Sequence, residues 1–429
     1  MFKTLTNAWK TPELRKKLIV TVFIIILYRL GSTIPMPYVN AGLMESINTI
    51  YGGTILQYLN ILSGSAFAQA TLFALSISPY ITASIVIQLL TVAIPALEKL
   101  SKNGEEGRKK LTQITRYVTV VLGLITAFGY YMFLRNQGWL TNNSVFVAFV
   151  IIACYGAGAA LIMWLAEKIN EHGIGNGISM ILFANILASG TQIISTFSEF
   201  IKEGPWGIVK TEVIVVISLA IITFVVFVTE SERRIPVQYA KKVVGRKQYG
   251  GQSSNLPIKL NMSGVMPIIF ANSIVAIPAT IGMIAGVDTN GTGFWSKFIN
   301  FFSAGSWFYV IIFVILIIAF AYFYVSISFN PVEVANNMKK QGGFIPGIRP
   351  GKPTSDYIKK ILGRITLIGA FFLCIVAALP LIASIISGGV LSGISFGGSS
   401  LLIVVGVALE TARELEAQLT MRHYKGFLE

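Results

Sequence analysis

Apolar runs of nearly twenty residues recur along the whole chain, and few architectures accommodate them. They fall near 18–36, 71–95, 113–134, 145–166, 178–197, 209–229, 262–285, 306–329, 365–386 and 399–417. About 20 apolar residues carry an α-helix across the ~30 Å hydrocarbon core of a bilayer. In lipid every backbone N–H and C=O must be paired within the protein, which leaves helices and closed barrels. Barrel strands alternate apolar and polar residues over about ten positions, and these runs do not alternate. The expected fold is an all-α integral membrane protein with ten transmembrane helices. Charge agrees with this: 12% of the 429 residues are charged, against about 25% in an ordinary soluble domain.

The first run follows "TPELRKKL" and has the look of a signal peptide. No small-x-small cleavage pattern closes it and nine more runs follow, so it is expected to remain as an anchor. Orientation follows from Lys and Arg, because cytoplasmic loops keep the positive excess. Of the 34, 29 lie before span 1, at 98–116, in the turn after span 4, at 233–259, at 339–364 and in the C-terminal tail. The other face holds Arg29, Arg135, Lys202, Lys210 and Lys297. Both termini and the large basic loops are therefore expected in the cytoplasm.

Several chemistries are excluded. Cys154 and Cys374 lie inside spans, and His172 and His423 lie in cytoplasmic segments, so no disulfide framework or metal site can be assembled from them. Coupled transport usually places ionisable groups mid-membrane; Arg29, Glu212 and Glu410 instead lie toward span ends, where long side chains reach water. "HGIGNGIS" at 172–179 has the glycine spacing of a phosphate loop but follows a membrane helix, without the strand and Lys such a loop needs. A tight turn is expected there, with Gly173, Gly175 and Gly177 in left-handed or close-packed backbone. No His or paired Asp lies in a span to activate a serine or water. Neither catalysis nor a cofactor is expected.

Two features need another explanation. Between spans 1 and 2 the apolar stretch is broken by Gly52, Gly53 and Gly64, leaving about ten residues from 54 to 63, half a crossing. An interfacial helix on the outer face and a re-entrant helix in the mouth of a cavity both fit it. The segments 230–261 and 330–364 exceed the 2–8 residues common between helices and are strongly basic. They read as a docking surface or as charge facing lipid headgroups. The second contains "GGFIPGIRPGKP" at 342–353, whose glycines and prolines favour a rigid, turn-rich loop.

"FALSISPYITASIVIQLL" (73–90), "GEEGRKKLTQITRY" (104–117), "MWLAEKINEHGIGNGIS" (163–179), "RRIPVQYAKK" (233–242), "FNPVEVANNMKKQGGFIPGIRPG" (329–351) and "GGSSLLIVVGV" (397–407) together resemble the SecY family of protein-conducting channels. The resemblance implies a clamshell of two inverted halves, 1–200 with spans 1–5 and 201–429 with spans 6–10. Between them would run a pore whose waist is Ile77, Ile81, Ile178, Leu182, Ile269 and Ile403. Such an apolar ring excludes water and ions yet has no groups to trap a moving chain. The broken stretch, at about 54–68, would be a re-entrant plug helix carrying Leu56, Leu59, Ile61, Leu62, Ser63 and Gly64.

Spans 2 and 3 would part from spans 7 and 8 to release apolar segments into lipid. Gln88 and Asn272 are suited to bonding across that seam or to plain helix packing. The basic loops, with Arg233, Arg234, Lys241, Arg246, Lys247, Arg349 and Lys352, would receive the SecA ATPase or a ribosome. SecE and SecG membrane subunits, signal peptides, unfolded preproteins and phospholipids are the other implied partners. The implied location is the bacterial cytoplasmic membrane; a thylakoid homologue is the alternative, disfavoured because no transit peptide precedes the first span. The rivals to a passive polypeptide channel are a secondary transporter of a small solute and a structural scaffold.

Overall fold

A computed structural model describes residues 2–40, 55–202, 204–239, 242–244, 247–249, 253–284, 293–302, 306–386 and 397–425. Its helices are α1 (Phe2–Lys10), α2 (Pro12–Gly31), α3 (Ile55–Leu62), α4 (Ser78–Ala93), α5 (Pro95–Lys102), α6 (Gly104–Asn136), α7 (Val145–His172), α8 (Gly177–Lys202) and α9 (Pro205–Glu230). After strands β1 (Glu232–Tyr239), β2 (Lys242–Val244), β3 (Lys247–Tyr249) and β4 (Ser253–Lys259) come α10 (Met266–Ile284), α11 (Phe294–Phe301), α12 (Trp307–Ser328), α13 (Pro331–Lys340), β5 (Gly343–Phe344), α14 (Lys352–Ile386) and α15 (Gly397–Lys425).

A helix lies on each of the ten apolar runs. Among the described residues α6, α7, α9, α12 and α14 are long and apolar enough to cross a membrane alone, and α4 with α5 makes a sixth if the bent pair counts as one. The bend of 102° sits at Ile94, which precedes Pro95 and is forced into extended backbone at φ −108°. The second apolar run starts helix late, at Ser78, because 63–77 is a chain of turns with Ser65, Ala70 and Ser76 at positive φ.

The expected tight turn joins α7 to α8. Gly175 has φ +83°, and a Cβ on Gly177 would sit 1.9 Å from the Ala166 carbonyl oxygen. Asn170 Oδ1 accepts the Gly177 N–H at 2.7 Å, filling one of the orphan donors of the helix start.

One buried cluster gathers side chains from α2, α4, α7, α8, α9, α10, α12, α14 and α15. A second, rich in aromatics, includes Phe67, Tyr130, Phe133 and Tyr155 and lies behind the 63–77 turns. Apolar side chains also face outward, along α9 for example, where Val213, Val216, Leu219 and Phe227 are all exposed. Such a surface suits lipid rather than water.

The basic segments are not the irregular loops that an all-α reading expects. β1 pairs antiparallel with β4 and with β5 in a three-stranded sheet of order β4-β1-β5. "RRIPVQY" alternates, turning Ile235 and Val237 inward while Arg233 and Arg234 stay exposed. Ile235 and Val237, with Ile258, Met338, Ile345, Ile358 and Leu362, form a separate small core. The two basic segments thus fold together as one unit.

Candidate functional site

The six aliphatic side chains expected at a waist come from four helices. Ile77 caps α4 and Ile81 lies one turn in; Ile178 and Leu182 share a face of α8; Ile269 is in α10 and Ile403 in α15. All meet in the main cluster, where five are at most 4% exposed and Ile178 is half-buried against them. A cavity of about 180 Å³ touches this layer through Ile81, Ile178 and Ile269, and carries Gln88, Asn170, Asn176 and Tyr324 in its wall. The arrangement is a dry aliphatic patch beside a polar recess.

The described end of the half-length helix α3, from Leu59 to Leu62, packs into the core. Ile61 and Leu62 pack into the main cluster and Leu59 against the aromatic one; the Leu56 side chain and residue 54 lie outside the described residues. Ser63 and Gly64 are buried. Its C-terminal carbonyls find partners on other helices. Asn185 Nδ2 donates to Leu62 O at 2.7 Å and to Ser76 Oγ at 3.1 Å, and Ser76 Oγ donates to Leu62 O at 3.1 Å. Ser189 Oγ donates to Ile61 O at 3.1 Å, and Arg29 Nη1 lies 3.5 Å from Gly64 O. The turns that follow are held by Tyr130 Oη, donating to Phe67 O at 2.6 Å, and by Tyr155 Oη, donating to Ala70 O.

At the seam, α10 packs against both α4 and α6. Gln88 is half-buried and its Nε2 donates to Ser84 Oγ in its own helix at 3.3 Å. Asn272 is buried, and its Nδ2 has no hydrogen-bond partner. The two residues lie on helices that pack against one another, and no hydrogen bond joins them.

On the basic unit, Arg349 and Lys352 are exposed while Ile345 anchors their loop in the small core. Gly347 and Gly351 have positive φ, and Thr354 Oγ1 donates to the Arg349 carbonyl at 2.8 Å. Arg233 is exposed; Arg234 pairs with Glu232 at 2.7 Å. Lys259 on β4 has its ammonium pushed below the ordinary lysine range by burial, with Arg413 adding to the effect. Lys241 and Arg246 lie outside the described residues, as does the Lys247 side chain.

Sequence reasoning missed Asn185, Ser189, Ser76 and Tyr28, and the bidentate pair of Arg116 on α6 with Glu167 on α7, at 2.8 and 2.9 Å. A signal for the first two was present. Ile178, Leu182, Asn185 and Ser189 recur at three- and four-residue intervals, a helical stripe that turns from aliphatic to polar inside an apolar run.

Comparison with known proteins agrees with this arrangement. The SecY family profile matches residues 71–412. Protein translocase subunit SecY of Mycobacterium bovis is 43% identical over 100% of both chains, and that of Streptomyces griseus 42% over 100% of both. A structure described as that of a protein conducting channel has a TM-score of 0.65 at 18% identity, covering 94% of this chain and 92% of that one. Sec61 in a canine ribosome-channel complex has a TM-score of 0.61 at 17% identity, with the same coverage of 94% and 92%. At these identities the structures show a shared fold, and the full-length relatives show the kinship: the chain belongs to the SecY family.

Proposed function

We propose that this chain is the channel subunit of a bacterial protein translocase, passing unfolded secretory polypeptides across the cytoplasmic membrane and releasing apolar segments sideways into lipid. The observation that carries the reading is the burial of six aliphatic side chains from four helices in one cluster, into which the end of a half-length helix also packs. The ring excludes water at rest, and α3 is its plug. A small-solute transporter is not supported: the full-length relatives are translocase subunits.

In this reading 1–200 and 201–429 are two halves hinged between α8 and α9, and the seam between α4 and α6 on one side and α10 and α12 on the other is the lateral exit. The basic unit faces the cytoplasm together with both termini, as the distribution of Lys and Arg supports. Its exposed cations suit a SecA-type ATPase or the RNA of a ribosome, which would supply the energy; the channel itself performs no catalysis. SecE and SecG subunits would cover some of the apolar outer surface.

Replacing Ile81→Ser together with Ile403→Ser tests the waist. Hydroxyls let water stay in the constriction, so planar-bilayer conductance at rest should rise at least tenfold. Conductance unchanged by the pair would put the waist elsewhere.

A further inference from the structure

We propose that Asn185, with Ser189 and Arg29, forms a latch on the C-terminal end of the plug helix, and that this latch sets how apolar a signal sequence must be to open the channel. The proposal rests on the channel reading above and names residues that control its threshold.

The geometry starts from a general property of helices: the last carbonyls of a helix have no intrahelical donor, and they carry its partial negative charge. α3 ends inside protein, so these groups cannot turn to water. Three donors from two other helices meet them: the Asn185 amide at Leu62 O, the Ser189 hydroxyl at Ile61 O and the Arg29 guanidinium near Gly64 O. Arg29 is thus placed where a cation complements the end of the α3 dipole. Gly64 makes the approach possible, because a Cβ there would lie 2.6 Å from Arg29 Nη1 and 3.2 Å from Asn185 Cα. Asn185 and Ser189 sit one and two turns beyond Leu182 on the face of α8 that bears the ring, so one helix surface builds both the seal and its fastening.

The same node contains the means of release. Tyr28 Oη and Asn185 Oδ1 are buried without hydrogen-bond partners, and Asn185 and Ser76 lie near the Tyr28 hydroxyl. A spare hydroxyl donor therefore stands beside a spare amide acceptor. When α3 leaves with the Leu62 carbonyl, the Asn185 side chain can turn to Tyr28, and the exposed carbonyls reach pore water. The Asn185 amide N–H and the α3 carbonyls thus have partners in both states, so the fastening is worth about one net hydrogen bond at each donor. A loss of that size is about a tenfold change in the closed-to-open ratio, equivalent to ~1.4 kcal/mol.

The test uses the full chain, reconstituted with its co-purifying membrane subunits in planar bilayers and in vesicles. Asn185→Leu should raise resting open probability about tenfold and admit secretory proteins whose signal core is shortened by several residues. Ser189→Ala should act in the same direction and more weakly. Gly64→Ala should mimic Asn185→Leu with the amide intact, and the two together should not multiply. Should Asn185→Leu fail to accumulate, the other two variants decide. Wild-type conductance and unchanged signal discrimination in Asn185→Leu and Ser189→Ala, or in Ser189→Ala and Gly64→Ala, overturn the latch. The Ile81→Ser, Ile403→Ser pair keeps the readings apart: a leak there with tight latch variants removes the latch alone, whereas no leak in any removes the channel.

Discussion

Arg349 is the residue at which the proposed docking role separates most cleanly from folding. Its side chain is exposed, and its loop is fixed by Ile345 in the small core, by glycines in left-handed backbone and by Thr354 bonding its carbonyl. Arg349→Glu should therefore leave expression and membrane insertion normal and reduce ATP-driven translocation at least tenfold, as charge reversal at a docking site does. Lys352→Glu, outside the "GIRPG" core, should have a smaller effect that fades as salt is added. Translocation rate and motor ATPase stimulation in inverted vesicles separate the two, and equal small effects would make this loop a connector only. At this scale the sequence was legible where chemistry is rare. Turn residues and cations stand out in an apolar chain, whereas Ile77 or Ile403 looks like any other aliphatic residue. Asn185 was overlooked because one amide in a long apolar helix reads as packing until its partner on α3 is known.

Between elements, two kinds of contact hold the bundle in register. Arg116 on α6 forms a bidentate pair with Glu167 on α7, whose side chain is only 9% exposed while that of Arg116 is 44% exposed. Arg116→Met would leave the carboxylate buried and alone. The expected cost is about 2–3 kcal/mol, below the figure for fully buried pairs because one partner reaches solvent. In detergent solution this should appear as a Tm lowered by several degrees, and Arg116→Met with Glu167→Met should regain much of it; an unchanged Tm in the single variant would make the pair ornamental to stability.

Gly177 makes the other kind of contact. Its missing Cβ would collide with the Ala166 backbone, so Gly177→Ala should destabilise the α7–α8 turn. Gly190→Ala, in the same helix with nothing within 4 Å, should be neutral or raise Tm slightly through helix propensity. Helix positions were readable from apolar runs, since lipid imposes length. Helix ends were not: α6 and α14 begin well before their apolar runs, because charged turns in water extend a helix at no desolvation cost. The β1–β4 part of the sheet was legible in the alternation of "RRIPVQY" and was overlooked among longer apolar runs, whereas β5 joins β1 from about a hundred residues away with only two paired positions.

The whole molecule joins a buried aliphatic cluster, a half-length helix whose last carbonyls bond to other helices, and a cationic unit built from two distant segments. Each is dispensable in a scaffold, and together they fit the channel proposed above. The resemblance supplied the expectation of a clamshell and pore, which no periodicity in this chain suggests, since inverted repeats leave weak internal similarity. The decisive measurement is protease protection of an unfolded secretory protein added outside vesicles that contain the purified chain with its small membrane subunits. With a SecA-type motor and ATP on the side of the basic unit, the substrate should become protected; without ATP, or with Arg349→Glu, it should not. Absence of protection under all conditions, together with ATP-independent counterflow of a small solute, would contradict the account.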